Sequence, residues 1–208
     1  MTLEIWLAYV LASTVLLLIP GPTILLIVSY ALAEGRRSGW GTVAGATLGD
    51  IVAVTLSCLG LGALLAASAA LFTILKWLGA AYLVYLGIKM IRARPSFELQ
   101  DESASRFSQR AMFLHAFVVT TLNPKSIVFF VAFLPQFIVP SAPVAPQLVL
   151  LGGTFVGLAV VVCALYAILV GSLREAVAKP SLLTAIQRAG GGILIGAGLM
   201  MALVRRST

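Results

Sequence analysis

Ile19-Pro20-Gly21-Pro22-Thr23 stands in the middle of one long apolar run, and Leu122-Asn123-Pro124-Lys125-Ser126 stands at the matching place in the second half of the chain. A proline inside a helix removes one backbone donor, and its ring clashes with the preceding turn. Within a bilayer the freed backbone groups need polar partners or water. Two such interruptions at corresponding positions therefore point to a polar site near the bilayer midplane, of the kind a transporter uses to hold its cargo.

The surroundings of these two stretches agree with a membrane setting. The chain has 208 residues, of which 61% are hydrophobic and only 10% charged, whereas an ordinary soluble domain is about 45–50% apolar. The composition predicts an all-α membrane protein. Six stretches, 4–33, 40–66, 69–91, 111–138, 147–170 and 182–204, each reach the roughly 20 residues that a helix needs to cross a bilayer core. Residues 1–6 carry no basic cluster, so the first run is expected to be a span and not a cleaved signal. The expected fold is six transmembrane helices, with helices 1 and 4 interrupted at Pro20, Pro22 and Pro124.

Basic residues divide unevenly between the connections. Arg36 and Arg37 follow the first span, Lys89, Arg92, Arg94, Arg106 and Arg110 follow the third, and Arg174, Lys179 and Arg188 flank the link between the fifth and sixth. These connections share one side of a six-span protein, and the positive-inside rule makes that side cytoplasmic, with both termini opposite. Arg205 and Arg206 are the contrary signal. The net charge of +7 needs no nucleic acid, because basic cytoplasmic loops face anionic lipid head groups.

One sizeable polar linker, 92–110, separates repeat 1 (1–91) from repeat 2 (111–208) within a single transmembrane domain. Pro22 matches Pro124, Gly45-x-x-x-Gly49 matches Gly153-x-x-x-Gly157, and Lys76-x-x-Gly79 matches Arg188-x-x-Gly191, in the same order. Three spans per half make the second copy inverted, so the expectation is two inverted three-helix repeats meeting at a midplane site.

The residues at the breaks carry the chemistry. Asn123 is a preferred N-cap and Pro124 a preferred first helical residue, so a half-helix is expected to start there; Gly21-Pro22 repeats the pattern with a weaker cap. Each such N-terminus offers unpaired N–H groups and a partial positive charge, a site suited to a carboxylate. Asp50 is the one acid well inside a span, where an ionised group costs at least about 2.5 kcal/mol. Two readings of it stay open: an ion pair with Lys125, or contact with a substrate or a coupling proton. Lys125 holds a substrate carboxylate or neutralises Asp50. Gly21, Pro22, Asp50, Asn123, Pro124 and Lys125 are thus the candidate substrate-binding residues. Gly41, Gly45, Gly49 and the run 190–192 are expected to let helices approach closely. No nucleophile with a base, no metal-ligand spacing and no phosphate loop is visible, so neither an enzyme nor a cofactor is called for.

Taken in order, Ile19-Pro-Gly-Pro22, Gly45-Ala-Thr-Leu-Gly-Asp50, Lys76-Trp-Leu-Gly-Ala-Ala-Tyr-Leu-Val-Tyr-Leu-Gly87, Leu122-Asn-Pro-Lys-Ser-Ile-Val-Phe-Phe130 and Leu134-Pro-Gln-Phe137 resemble the LysE/RhtB family of bacterial amino-acid exporters, over essentially the whole chain. The resemblance implies a multi-pass inner-membrane secondary transporter that exports amino acids or close derivatives, driven by the proton motive force. Substrates in that family include basic, hydroxylated, aliphatic and cysteine-type amino acids; a single buried acid tilts the expectation toward small neutral ones. The expected partners are the amino acid and membrane lipid, with protons and a second copy of the chain left open, and no nucleic acid. The rival reading is a transmembrane thiol–disulfide electron carrier using Cys58 and Cys163, which fall in corresponding spans. Neither cysteine is expected to adjoin the breaks, and thiols in apolar surroundings are usually inert.

Overall fold

The computed structural model describes residues 1–67, 69–92, 107–139, 141–172 and 180–203, and these are helical with no strand among them. Helix fills each of the six expected apolar stretches, but the first and fourth are divided. Helix α1 (Leu3–Leu18) starts on Thr2, whose hydroxyl accepts from the Ile5 N–H at 3.4 Å. It stops where Pro20 and Pro22 follow, with Ile19 already extended. Helix α2 (Pro22–Glu34) begins with Pro22 in its first turn. Its end requires a glycine, since Gly35 takes φ +65° before the 3₁₀ turn Gly35–Arg37.

Helices α3 (Ser38–Ala67) and α4 (Ala69–Arg92) follow, then α5 (Gln109–Thr121), which starts on the Ser108 hydroxyl. After the second break comes α6 (Pro124–Val128), which passes into a π-helical turn, Phe129–Phe133, and a 3₁₀ turn, Leu134–Phe137. The expected continuous second half of this stretch is therefore irregular. Pro135 removes a donor that an α-helix would use, and the wider turn before it absorbs the mismatch. Helices α7 (Val144–Ser172) and α8 (Pro180–Leu203) complete the described chain.

Among the described residues, three helical runs are long and apolar enough to cross a membrane: Pro22–Gly60, which passes through the 3₁₀ turn, Gln109–Phe137 and Val144–Val170. Leu3–Leu18 and Ala80–Lys89 are shorter apolar helices. Large apolar side chains point outward along several of them, Leu11, Leu59, Val149 and Val161 among others. Such a surface suits lipid and not water.

Small residues set the tightest contacts. Gly41, Gly45 and Gly49 recur every fourth residue on α3 and press against the backbone of α5. A Cβ at Gly41 would come within 2.7 Å of the Gln109 carbonyl, one at Gly49 within 2.8 Å of the Phe117 carbonyl, and one at Gly45 would collide with Phe113. Gly87 of α4 and Gly191 of α8 face each other in the same way, and Gly190 abuts Ile19 at the first break. The glycines matched to Gly45 and Gly49 behave differently: Gly153 and Gly157 meet nothing within 4 Å, and neither does Gly192. The sequence match between these pairs does not extend to their packing, because α7 turns that face outward. Phe129, Phe130 and Phe155 stack with Tyr9 in the core between α1, the π-helical turn and α7.

Candidate functional site

The two breaks lie directly against each other. At the second, the Asn123 side chain caps its own half-helix, accepting from the Lys125 N–H at 3.1 Å. Its amide then donates to the Thr23 hydroxyl at 3.1 Å, and Thr23 pairs with Thr120 at 3.1 Å. A chain of buried polar groups thus joins the start of α2, the end of α5 and the start of α6. Thr23 and Thr120 were not singled out in the sequence, although Thr23 completes the Ile19-Pro-Gly-Pro stretch.

Lys125 is buried, with 4% of its surface exposed, and its ammonium donates to the carbonyls of Leu16 at 2.9 Å and Ile19 at 2.7 Å. These are carbonyls at the end of α1, where Pro20 and Pro22 supply no N–H; Leu16 also accepts from the Ile19 N–H at 3.3 Å. A cation near the start of its own helix is unfavourable, whereas one at the end of another is favourable; the position of Lys125 makes electrostatic sense only through α1. Tyr166 of α7 completes this cap, donating its hydroxyl to the Leu18 carbonyl at 2.8 Å. Snorkelling does not occur.

Gly21 explains how close the two breaks come. A Cβ there would sit 3.3 Å from the Lys125 Nζ and 3.4 Å from its Cε. The φ of −115° at Gly21 is open to other residues, so proximity and not backbone conformation calls for glycine. Gly21 makes no side-chain cap, so the N–H groups in the first turn of α2 lack the partner that Asn123 gives α6.

Asp50 is buried beside this arrangement, 4% exposed. The expected ion pair does not form directly. Lys125 spends two of its three donors on carbonyls, and the carboxylate makes no hydrogen bond or ion pair among the described residues; the two charges act on each other through space. The physical reason is competition: carbonyls at a helix end lie nearer and need the cation. Cys58 and Cys163 are both free thiols.

The remaining candidates fall outside this cluster. Pro20 is buried at the first break, while Pro22 and Pro124 are exposed. Tyr85 is 57% exposed, and Trp40 and Trp77 point outward as belt residues would. Arg188 is exposed, and the Lys76 side chain lies outside the described residues. His115 faces outward and pairs its Nδ1 with the Tyr30 hydroxyl at 3.0 Å. Among the described residues no cluster of metal-ligating side chains occurs.

A family model for LysE type translocators matches residues 14–205, a span that takes in both breaks, Asp50 and Lys125. The chain belongs to the LysE family of translocators. This LysE protein is 37% identical over 205 residues to an uncharacterized membrane protein of Vibrio cholerae, covering 99% of this chain and all of the relative. It is 36% identical over 211 residues, and over the full length of both chains, to a protein of Salmonella typhimurium named a homoserine/homoserine lactone efflux protein. It is also 29% identical over 205 residues to the uncharacterized membrane protein YrhP of Bacillus subtilis, covering 95% of this chain and 98% of that one. No solved structure matches it. As a LysE family member the chain is a membrane translocator and not an enzyme.

Proposed function

We propose that this LysE protein is a secondary transporter that exports a small neutral amino acid of the homoserine type across the bacterial inner membrane by alternating access, driven by the proton motive force. The observation that carries the proposal is the junction of the two breaks: an uncapped helix start at Gly21-Pro22, a self-capped one at Asn123-Pro124, and the Lys125 ammonium between them. The substrate carboxylate lies against the first turn of α2 and takes the third donor of Lys125. Asp50, buried without a direct partner among the described residues, meets the amino group or carries the coupling proton. The relative's name, a homoserine/homoserine lactone efflux protein, supports the substrate class.

In this reading the six helical stretches are six spans arranged as two inverted repeats. The arginine-bearing turn Gly35–Arg37 faces the cytoplasm. Lys125 tethers α6 to the end of α1, so competition from the substrate for its donors loosens one break from the other. The two halves then rock about the site.

Inside-out vesicles from cells producing the full chain test this with labelled homoserine. Uptake above control vesicles, abolished by collapsing the proton gradient, is the expected result. Asp50→Asn should remove uptake without lowering expression, while Cys58→Ala with Cys163→Ala should retain it. Absence of uptake by the wild type overturns export of this substrate class, and loss in the double cysteine variant favours electron transfer through thiols.

A further inference from the structure

We propose that the Tyr9 and Ser13 hydroxyls form a side-chain subsite, which selects an amino acid whose side chain ends in a hydrogen-bonding oxygen. The proposal rests on the export reading above. Both residues are wholly buried, at 0% exposure, and neither hydroxyl has a hydrogen-bond partner. They lie one helical turn apart on the same face of α1 and near each other, short of hydrogen-bond geometry. A buried hydroxyl left unpaired costs folding free energy, whereas an apolar group of the same shape does not. Phe at position 9 and Ala at position 13 would avoid that cost, so these hydroxyls call for a purpose beyond packing.

Position supplies one. By helical rise, Ser13 stands about 4.5 Å and Tyr9 about 10 Å along α1 from Leu16, whose carbonyl holds Lys125. An amino acid with its carboxylate at Lys125 and its side chain directed along α1 reaches Ser13 first and Tyr9 next. The far wall is aromatic. Phe129 of the π-helical turn lies 6.0 Å from the Tyr9 ring, and Phe137 of the 3₁₀ turn stands edge-on at 5.2 Å. The irregular backbone after α6 therefore packs on the residue that carries the farther hydroxyl. A polar group in such surroundings discriminates by leaving its own hydrogen bond unmade when the substrate lacks the matching oxygen.

Homoserine and 2-aminobutyrate share a carbon skeleton and differ by the terminal hydroxyl, so they isolate the subsite. In proteoliposomes of the purified full chain, wild type should favour homoserine in kcat/KM by about tenfold or more, the sum of two modest hydrogen bonds. Tyr9→Phe and Ser13→Ala should each cut that preference about three- to tenfold through a higher KM for homoserine. Transport of 2-aminobutyrate should hold, and the unfolding temperature should stay the same or rise. Ser13→Thr, which keeps the hydroxyl, should restore the preference. Variants with the wild-type ratio overturn the subsite and leave export standing, and so does a fall in unfolding temperature with the ratio kept. Failure of wild type to move either amino acid overturns the export reading, and the subsite with it.

Discussion

The break at 19–21 depends on side chains from other helices, whereas the break at 122–123 carries its own cap. Both place a proline in the first turn of a new helix. At the first, the Ile19 N–H reaches the Val15 and Leu16 carbonyls, but Leu16, Leu18 and Ile19 also draw on Lys125 and Tyr166, from α6 and α7, and the opening of α2 has no side-chain cap. At the second, Asn123 turns back on the Lys125 N–H and holds the helix start locally. One break is thus a tertiary construction and the other a local one. A site that must change its contacts during transport is better built on the former, whose backbone groups are available to compete for.

The sharpest way to break this comparison is to remove Lys125. Lys125→Met leaves the Ile19 carbonyl without the ammonium and the Leu16 carbonyl with only the Ile19 N–H at 3.3 Å, a cost of about 1–3 kcal/mol. Denaturant unfolding in detergent should show a loss of about 1–3 kcal/mol, and export should cease. Stability within about 1 kcal/mol of wild type would show that α1 does not need this cap.

A smaller effect separates the two breaks directly. Asn123→Ala removes a cap worth about 1 kcal/mol and the bond to Thr23, worth about the same again, so thermal unfolding should register both. Gly21→Ala meets only the flexible end of Lys125, at 3.3–3.5 Å. Its stability should change by less than about 1 kcal/mol, yet export should fall because the ammonium is pushed from its place. Equal loss of stability in the two variants would erase the distinction between a local and a tertiary break.

The smallest effects on stability belong to the prolines. Pro22→Ala and Pro124→Ala should each shift unfolding by no more than about 1 kcal/mol, since the lost restraint on the unfolded chain is modest. Their effects on export should differ. Without Pro22 the uncapped start of α2 loses the residue that fixes its first turn, although Pro20 still ends α1, while Asn123 keeps the start of α6 capped even without Pro124. Vesicle uptake should therefore fall further in Pro22→Ala; the reverse order would place the substrate at the second break.

Much of this was legible in the sequence because local rules produce it. Proline interrupts a helix wherever it falls, Asn before Pro caps the next one, and glycine at every fourth residue gives a face that a neighbouring backbone can approach. The positions of α1, α2, α5 and α6 and the close helix approach at Gly41, Gly45 and Gly49 follow from these rules. Asp50 and Lys125 stood out because charge in an apolar run demands a partner. Tyr9 and Ser13, four residues apart, and Tyr166 carried a fainter signal of the same kind, a hydroxyl in an apolar helix.

Partners across the fold were not legible. Which oxygen a buried ammonium chooses depends on what lies within about 3 Å of it, and a pairing of opposite charges in sequence says nothing of distance. Lys125 chose the helix-end carbonyls of Leu16 and Ile19 over Asp50 only once α1, α3 and α6 were packed together. The outward turn of Gly153 and Gly157 is of the same origin. Sequence alone determined where this chain's helices stop, since the missing donor of a proline is a property of the residue; tertiary structure decided which side chains finish the broken ends, since a hydrogen bond is a property of two groups and the space between them.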